Sequence, residues 1–323
     1  MKSNVIIQTQ KYSIYELIRD YRLFDCIGVD TFSATFNAND KRTGEFVTLL
    51  FLRGLIGESD QRKNFIQLIN TVSKLNHPLI LPIRKAYISL DTSNEMVPFM
   101  IEDIRNISQF KLNSIIRTDF IENGQLLIHN KRYLRLKGQN NQKINPTIRS
   151  KVIFGVASLM QYLHSLKIRA FSLKYEKIYL NEKLEPLFLN IGFDYFGSVT
   201  KDVEYIPPLD DGDDLKGEVY QFAVVIYKMF SIEPLIKNKR SPDMNYVFKI
   251  KNGWRPSRPE LMPDCYWELV CRCWHQNENK RPSFDEIVEI LKKESFAIDE
   301  FGMKTDRNDL HEYQSRVKNK KIK

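Results

Sequence analysis

The sequence contains no apolar run near the roughly 20 residues a membrane-crossing helix needs; its longest, FVTLLFL, has the length of a strand. No transmembrane segment is therefore expected. The first apolar patch, VII in MKSNVIIQTQKYS, is too short for the core of a secretory signal. Cysteine is scarce: Cys26, Cys265, Cys271 and Cys273 are unevenly spaced, which argues against a disulfide framework and for reduced thiols in an intracellular, cytoplasmic setting. Cys271, Cys273 and His275 crowd together in CRCWH, but a second ligand pair at finger spacing is missing, so no metal is expected. Acid is absent from two stretches of a chain whose net charge is +9. NKRYLRLKGQNNQK (130–143) and the tail from Arg316, RVKNKKIK, carry five basic residues each. Such runs attract acidic partners, nucleic acid or anionic lipid. Without an aromatic-rich platform for bases to stack on, they read as a solvated loop and a disordered tail, and nucleic acid is not the expected partner.

What remains is a soluble-type composition, 42% hydrophobic and 28% charged, long enough for a two-lobed core. Residues 22–52 alternate and break like strands: RLFDCIG, TFSATFNA, then EFVTLLFL after the turn-forming NDKRTG. Phe65, Leu68, Ile69, Val72 and Leu75 follow at helical spacing and stop at NHP. Further strand-like segments lie in LILPIRKAYISL and SIIRTDFI. The second half is mostly helical. Asn145 and Pro146 suit an N-cap and first position for a helix with Ile148, Val152, Val156, Leu159 and Leu163 on one face. VYQFAVVIYKMF is apolar nearly all round, as a buried helix is. Ser283 and Glu286 form a capping box opening FDEIVEILKK. The pattern predicts an α+β fold, a small β-rich lobe with one main helix followed by a larger helical lobe.

In this order the segments resemble the protein kinase fold across roughly residues 20 to 293. The resemblance rests on HPLILPI, TDFIENGQL, YLHS, VYQFAVVIYKMF and CWHQNENKRPSFDEIVEIL. The last of these, with NGWRPSRPE before it, is similar to the tyrosine-kinase-like group. The resemblance implies an N-terminal extension at 1–20, an N-lobe at 21–118, a C-lobe at 119–296 and a basic, disordered tail at 297–323.

The chemistry of the resemblance is missing. Phosphoryl transfer depends on positioning and charge neutralisation. Of the glycine-rich loop only Gly28 remains, with Asp30 and Ser33 where glycines would stand. A carboxylate there repels a triphosphate by about 4 kcal/mol per charge pair at about 4 Å and an effective dielectric of about 20. Leu50 takes the place of the strand lysine, and Leu68 that of its helix glutamate; a shift of one offers only the neutral Gln67. In IRAFSLKYEKIYL, Ser172 replaces the catalytic aspartate and cannot take a proton near neutral pH without a base of its own. Lys174 survives and is expected to point to solvent. Lys177 puts a positive charge at the metal-binding asparagine, and Asn190 replaces the metal-binding aspartate. A neutral amide is a poor ligand for a hard cation. Ser172 and Asn190 are separated by about the family's own spacing.

The resemblance therefore implies a pseudokinase: a kinase-like domain without catalysis, cofactor or metal, acting as a scaffold for another protein, such as a kinase or signalling component. A residual nucleotide pocket would comprise Gly28, Thr48, Thr118, Asp119, Ile121 and Tyr179, with Thr48 crowding one face of an adenine and Tyr179 the other. Two readings stay beside it, an active serine/threonine kinase using Lys174 and Asp194, and a basic binder of nucleic acid or membrane surface. With Pro207-Pro208-Leu209 where the family has A-P-E, Arg281 loses its usual glutamate. It is expected instead on carbonyls of 205–211, or on Asp210 or Asp211. Ser198, Thr200 and Tyr205 are hydroxyls open to regulation, and Leu50 and Leu68 are expected in contact.

Overall fold

The computed structural model describes residues 6–10, 19–29, 33–53, 59–89, 96–97, 110–118, 145–170, 173–188, 191, 203–208, 214–231, 235, 244–299 and 303–318. Ser172, Asn190, Asp119, Ile121, Asp194, Ser198, Thr200, Asp210 and Asp211, each singled out in the sequence, lie outside these residues. The contacts divide the chain into two compact units, 1–129 with 176–199, and 130–175 with 200–323.

The first unit is built on one sheet. Its strands are β1 (Ile6–Gln10), β2 (Tyr21–Val29), β3 (Ser33–Asp40), β4 (Phe46–Arg53), β5 (Ile83–Ser89), β6 (Met96–Val97) and β7 (Phe110–Thr118). They lie in the order β1-β5-β7-β4-β3-β2, with β6 paired to β7. All pairings are antiparallel except β1 with β5, which brings the N-terminal extension into the sheet. The NDKRTG turn sets the β3–β4 register. Asp40 accepts from the backbone N–H of Arg42 at 2.9 Å, and Gly44 supplies the left-handed residue at φ +76°. Helix α1 (Ser59–Val72) buries Phe65, Ile69 and Val72 at helical spacing against Leu50, Ile83 and Ala86 of the sheet. The hairpin of β8 (Tyr179–Leu180) and β9 (Pro186–Leu187) belongs to this unit. The reason is main-chain pairing beside β9: Phe188 N–H donates to Leu79 O at 2.7 Å, and Leu81 N–H to Phe188 O at 2.9 Å. The sequence had placed this stretch with the helical lobe.

The second unit contains α2 (Pro146–Ser165), α3 (Asp214–Phe230), α4 (Met244–Lys251), α5 (Asp264–Cys273), α6 (Phe284–Leu291) and α7 (Arg307–Lys318). Asn145 caps α2 as expected, accepting from Ile148 N–H at 2.8 Å, and Ser283 with Glu286 closes the capping box of α6. Helix α3 is buried along nearly its whole length.

The expected disorder of 297–323 is corrected by α7. Leu310, Tyr313 and Val317 recur on one face and are buried; Phe154 of α2 meets Tyr313 edge-to-face at 6.5 Å. The buried Lys151 ammonium reaches Asp309 at 2.6 Å, and Thr147 Oγ1 accepts from Asp306 N–H. Burial of the stripe outweighs the charge of the surrounding residues. Among the described residues no helix is long and apolar enough to cross a membrane.

Candidate functional site

Register in the first unit brings several of the singled-out positions onto one face of the sheet. Gly28 stands opposite Thr35, Thr35 opposite Leu50, and Leu50 opposite Ile116. Opposed residues share a face, as do residues two apart. The face therefore also carries Asn37, Thr48 and Thr118, since Thr48 pairs with both Asn37 and Thr118. Thr48 donates to Asn37 Oδ1 at 2.8 Å, so its buried hydroxyl is satisfied within the sheet.

Tyr179 fills this face. Its side chain is 1% exposed and lies in one apolar cluster with Ile27, Leu50, Phe65, Ile69, Val72, Leu81, Ile83 and Ala86. Its hydroxyl is 2.6 Å from Thr35 Oγ1. The phenol is thus held at both ends, the ring by apolar packing and the oxygen by a buried hydroxyl. Sequence reasoning found Tyr179 but missed Thr35. The signal was there, because the turn after Asp40 fixes which β3 residue faces Leu50.

Leu50 and Leu68, where the resemblance implies an ion pair, belong to or border the same cluster. Leu50 is fully buried within the cluster, and Leu68, half-buried on α1, packs against the cluster from its rim. An apolar pair here avoids the desolvation that a lysine and a glutamate would incur. Lys177 is buried in the short turn Tyr175–Lys177, ahead of Ile178 and Tyr179.

In the second unit Lys174 is 7% exposed, so the expectation that it points to solvent is corrected. Its neighbours draw the segment inward. Leu173 N–H donates to Gln221 Oε1 at 3.1 Å, and Tyr175 N–H to the Tyr205 hydroxyl at 3.0 Å. Both neighbouring side chains are buried, and a lysine stem can follow them. That bond also engages the Tyr205 hydroxyl in a buried side chain, and the Lys228 ammonium sits 4.7 Å from the Tyr205 ring. Glu218, at the start of the central helix, meets His164 Nε2 of the YLHS segment at 2.9 Å.

Arg281 is buried, and its hydrogen-bond acceptors among the described residues are carbonyls outside 205–208, while 209–211 lie beyond the described residues. Nη1 donates to Lys216 O and Nε to His275 O, each at 2.9 Å, and the Lys216 ammonium returns a bond to Arg281 O at 2.7 Å. These acceptors lie in the first turn of α3 and just beyond the end of α5. Arg281 and Arg255 each approach the Tyr220 ring at 5.5 Å from its centroid. Burial pushes the Tyr220 hydroxyl up to about 12, against the pull of the two guanidinium groups. Burial also lowers the Arg281 guanidinium from its usual value.

Residues 213–291 match the family model described as protein tyrosine and serine/threonine kinase. A Dictyostelium discoideum protein named as a probable serine/threonine-protein kinase is 27% identical over 197 residues, 57% of this chain and 14% of its own length. The RGS domain-containing serine/threonine-protein kinase A of the same organism is 27% identical over 190 residues, covering 54% of this chain and 16% of that protein. The tyrosine-protein kinase hopscotch of Drosophila melanogaster is 32% identical over 79 residues, 24% of this chain and 7% of that one. The chain spans less than a fifth of the length of each of these relatives. Leu50, Leu68, Ser172, Lys177 and Asn190 all precede the family match.

Proposed function

We propose that this chain, which belongs to the protein kinase-like superfamily, is a pseudokinase: it transfers no phosphate and acts by binding another protein. The observation that supports this most is Tyr179, whose ring joins Leu50 in the core and whose hydroxyl is bonded to Thr35. A nucleotide laid against this face would have to displace the ring, break that bond and expose an apolar cluster. The substitutions point the same way. Leu50 and Leu68 carry no charge for phosphate, Lys177 opposes a metal ion, and Ser172 offers no base. Neither ATP nor magnesium belongs to the working protein in this reading, and its setting is the cytoplasm.

The names of the relatives favour a second reading, an active serine/threonine kinase. Differential scanning fluorimetry with millimolar ATP, with and without Mg²⁺, separates the two. A ligand at about 100 times its Kd stabilises a protein by about 2.7 kcal/mol, which is several degrees. The pseudokinase reading expects no Mg²⁺-dependent rise. Such a rise, together with ³²P transfer to the chain or to a generic substrate, would establish the kinase instead.

A further inference from the structure

Among the described residues the large apolar side chains that stand exposed are Phe46, Leu166, Phe248 and Trp254, and the last two fall within one short stretch. Phe248 is 67% exposed on α4 and Trp254 is 43% exposed just beyond it. Single exposed apolar residues are ordinary; a pair on a rigid support is not.

The support is unusually complete. A helix leaves its last four carbonyls without intrahelical partners. In α4 each of these is taken. Phe248 O accepts from Asn252 N and Nδ2, and Lys249 O from Trp254 N at 2.9 Å. Ile250 O accepts from Gly253 N and Arg255 Nη1, and Lys251 O from Gln276 Nε2 at 2.7 Å. The bonds from Trp254 to Lys249 and from Gly253 to Ile250 form a Schellman motif, with Gly253 at φ +87° where a side chain would be strained. Trp254 is then fixed from two sides: its ring packs edge-on to Tyr246 at 5.8 Å, and its carbonyl accepts from Arg255 at 2.8 Å. Aromatic groups already ordered before binding lose little entropy when a partner covers them.

Charge says what the partner is. Residues 244–258 hold four basic residues and no acid. Arg255 is consumed by the carbonyls of Ile250, Trp254 and Trp274, and Arg258 by Asp264. Lys249 and Lys251 remain, exposed and lying between Phe248 and Trp254 in the sequence, with no carboxylate of the described residues paired to either. An anionic membrane would also meet lysines. However, α4 is only eight residues long and turns Tyr246 and Ile250 inward, leaving too little apolar face to lie in a bilayer surface.

We infer that the C-terminal end of α4 is a docking surface for an acidic protein segment, which sets an apolar side chain against Phe248 and Trp254 and its carboxylates against Lys249 and Lys251. This rests on the reading of the chain as a protein-binding domain and gives that partner a chemistry.

The test selects short random phage-displayed peptides on the full chain and measures the winners by fluorescence polarisation. Enriched peptides should place Asp or Glu beside Leu, Phe or Trp. Their affinity should fall about tenfold or more in Phe248→Ala, as for a central anchor. It should also fall in Lys249→Glu with Lys251→Glu, and as salt is raised. Failure to enrich any peptide, winners without acid, or affinity indifferent to both variants would overturn the inference. Winners indifferent to both variants would still leave protein binding standing, elsewhere on the chain. Mg²⁺-dependent phosphate transfer would instead remove the reading beneath it. Phosphatidylserine vesicles that sediment the wild type but not Phe248→Ala would assign the surface to membrane and overturn the inference too.

Discussion

The hydroxyls of Tyr179 and Thr35 stand 2.6 Å apart on the buried face of the small sheet, joining residues 144 apart in sequence. Thr35 lies between Gly28 and Leu50 in the register, so the bond ties the β8–β9 hairpin to the middle of β2–β4.

That bond should be measurable by a double-mutant cycle. Tyr179→Phe leaves the buried Thr35 hydroxyl without its partner and should cost about 1–3 kcal/mol in urea unfolding. Thr35→Val combined with Tyr179→Phe should cost less than the sum of the two. Additive losses would mean that the hydroxyls do not interact.

Leu50→Ala and Leu68→Ala should differ. Leu50 is fully enclosed, and its truncation should destabilise the first unit by about 2–5 kcal/mol. Leu68 sits half-buried at the edge of the same cluster, so its loss should be roughly half as large. Restoring Leu50→Lys with Leu68→Glu should destabilise the protein and yield no phosphate transfer, which a radiolabel assay would read.

Arg281→Lys should behave as a severe change. A lysine cannot supply both Lys216 O and His275 O from one fork, nor stack as a plane near Tyr220. A loss of about 2–4 kcal/mol is expected in chemical denaturation, since a buried charge keeps too few acceptors. A variant as stable as wild type would show that the guanidinium geometry is dispensable.

The start of α6 should weaken in acid. The Ser283 backbone N–H that donates to Glu286 holds this carboxyl below its ordinary value. A lowered folded-state value gives stability that is full above the unfolded carboxyl range, near about 4.3, and is lost as pH falls through the folded value. The side chain is exposed, so the effect is small. Urea midpoints of wild type and Glu286→Ala should differ near neutral pH and converge toward pH 3 or so.

Local signals were legible in the sequence. The β2–β4 strands, the Asn145 cap and the Ser283–Glu286 box each depend on neighbours a few residues away, and each lies where its pattern put it. What escaped needed distant partners. Lys174 is buried because Leu173 and Tyr175 are anchored to Gln221 and Tyr205, a relationship no local pattern encodes. The Lys216 and His275 carbonyls that hold Arg281 depend on how α3 and α5 pack, which no local pattern encodes. The stripe of Leu310, Tyr313 and Val317 was present, but the basic run from Arg316 overlaps its end and made the tail look solvated.

The docking of α7 on α2 carries a consequence for synthesis. Lys151 and Asp309 are 158 residues apart, so the ribosome must translate that whole interval before the second helix of the pair exists. At about 5–20 residues per second the delay is roughly 8–32 s. Throughout that time the face of α2 that carries Phe154 has no cover from α7, and the nascent chain presents it to whatever chaperones attend the tunnel exit. The helical unit can complete its packing only once α7 has emerged.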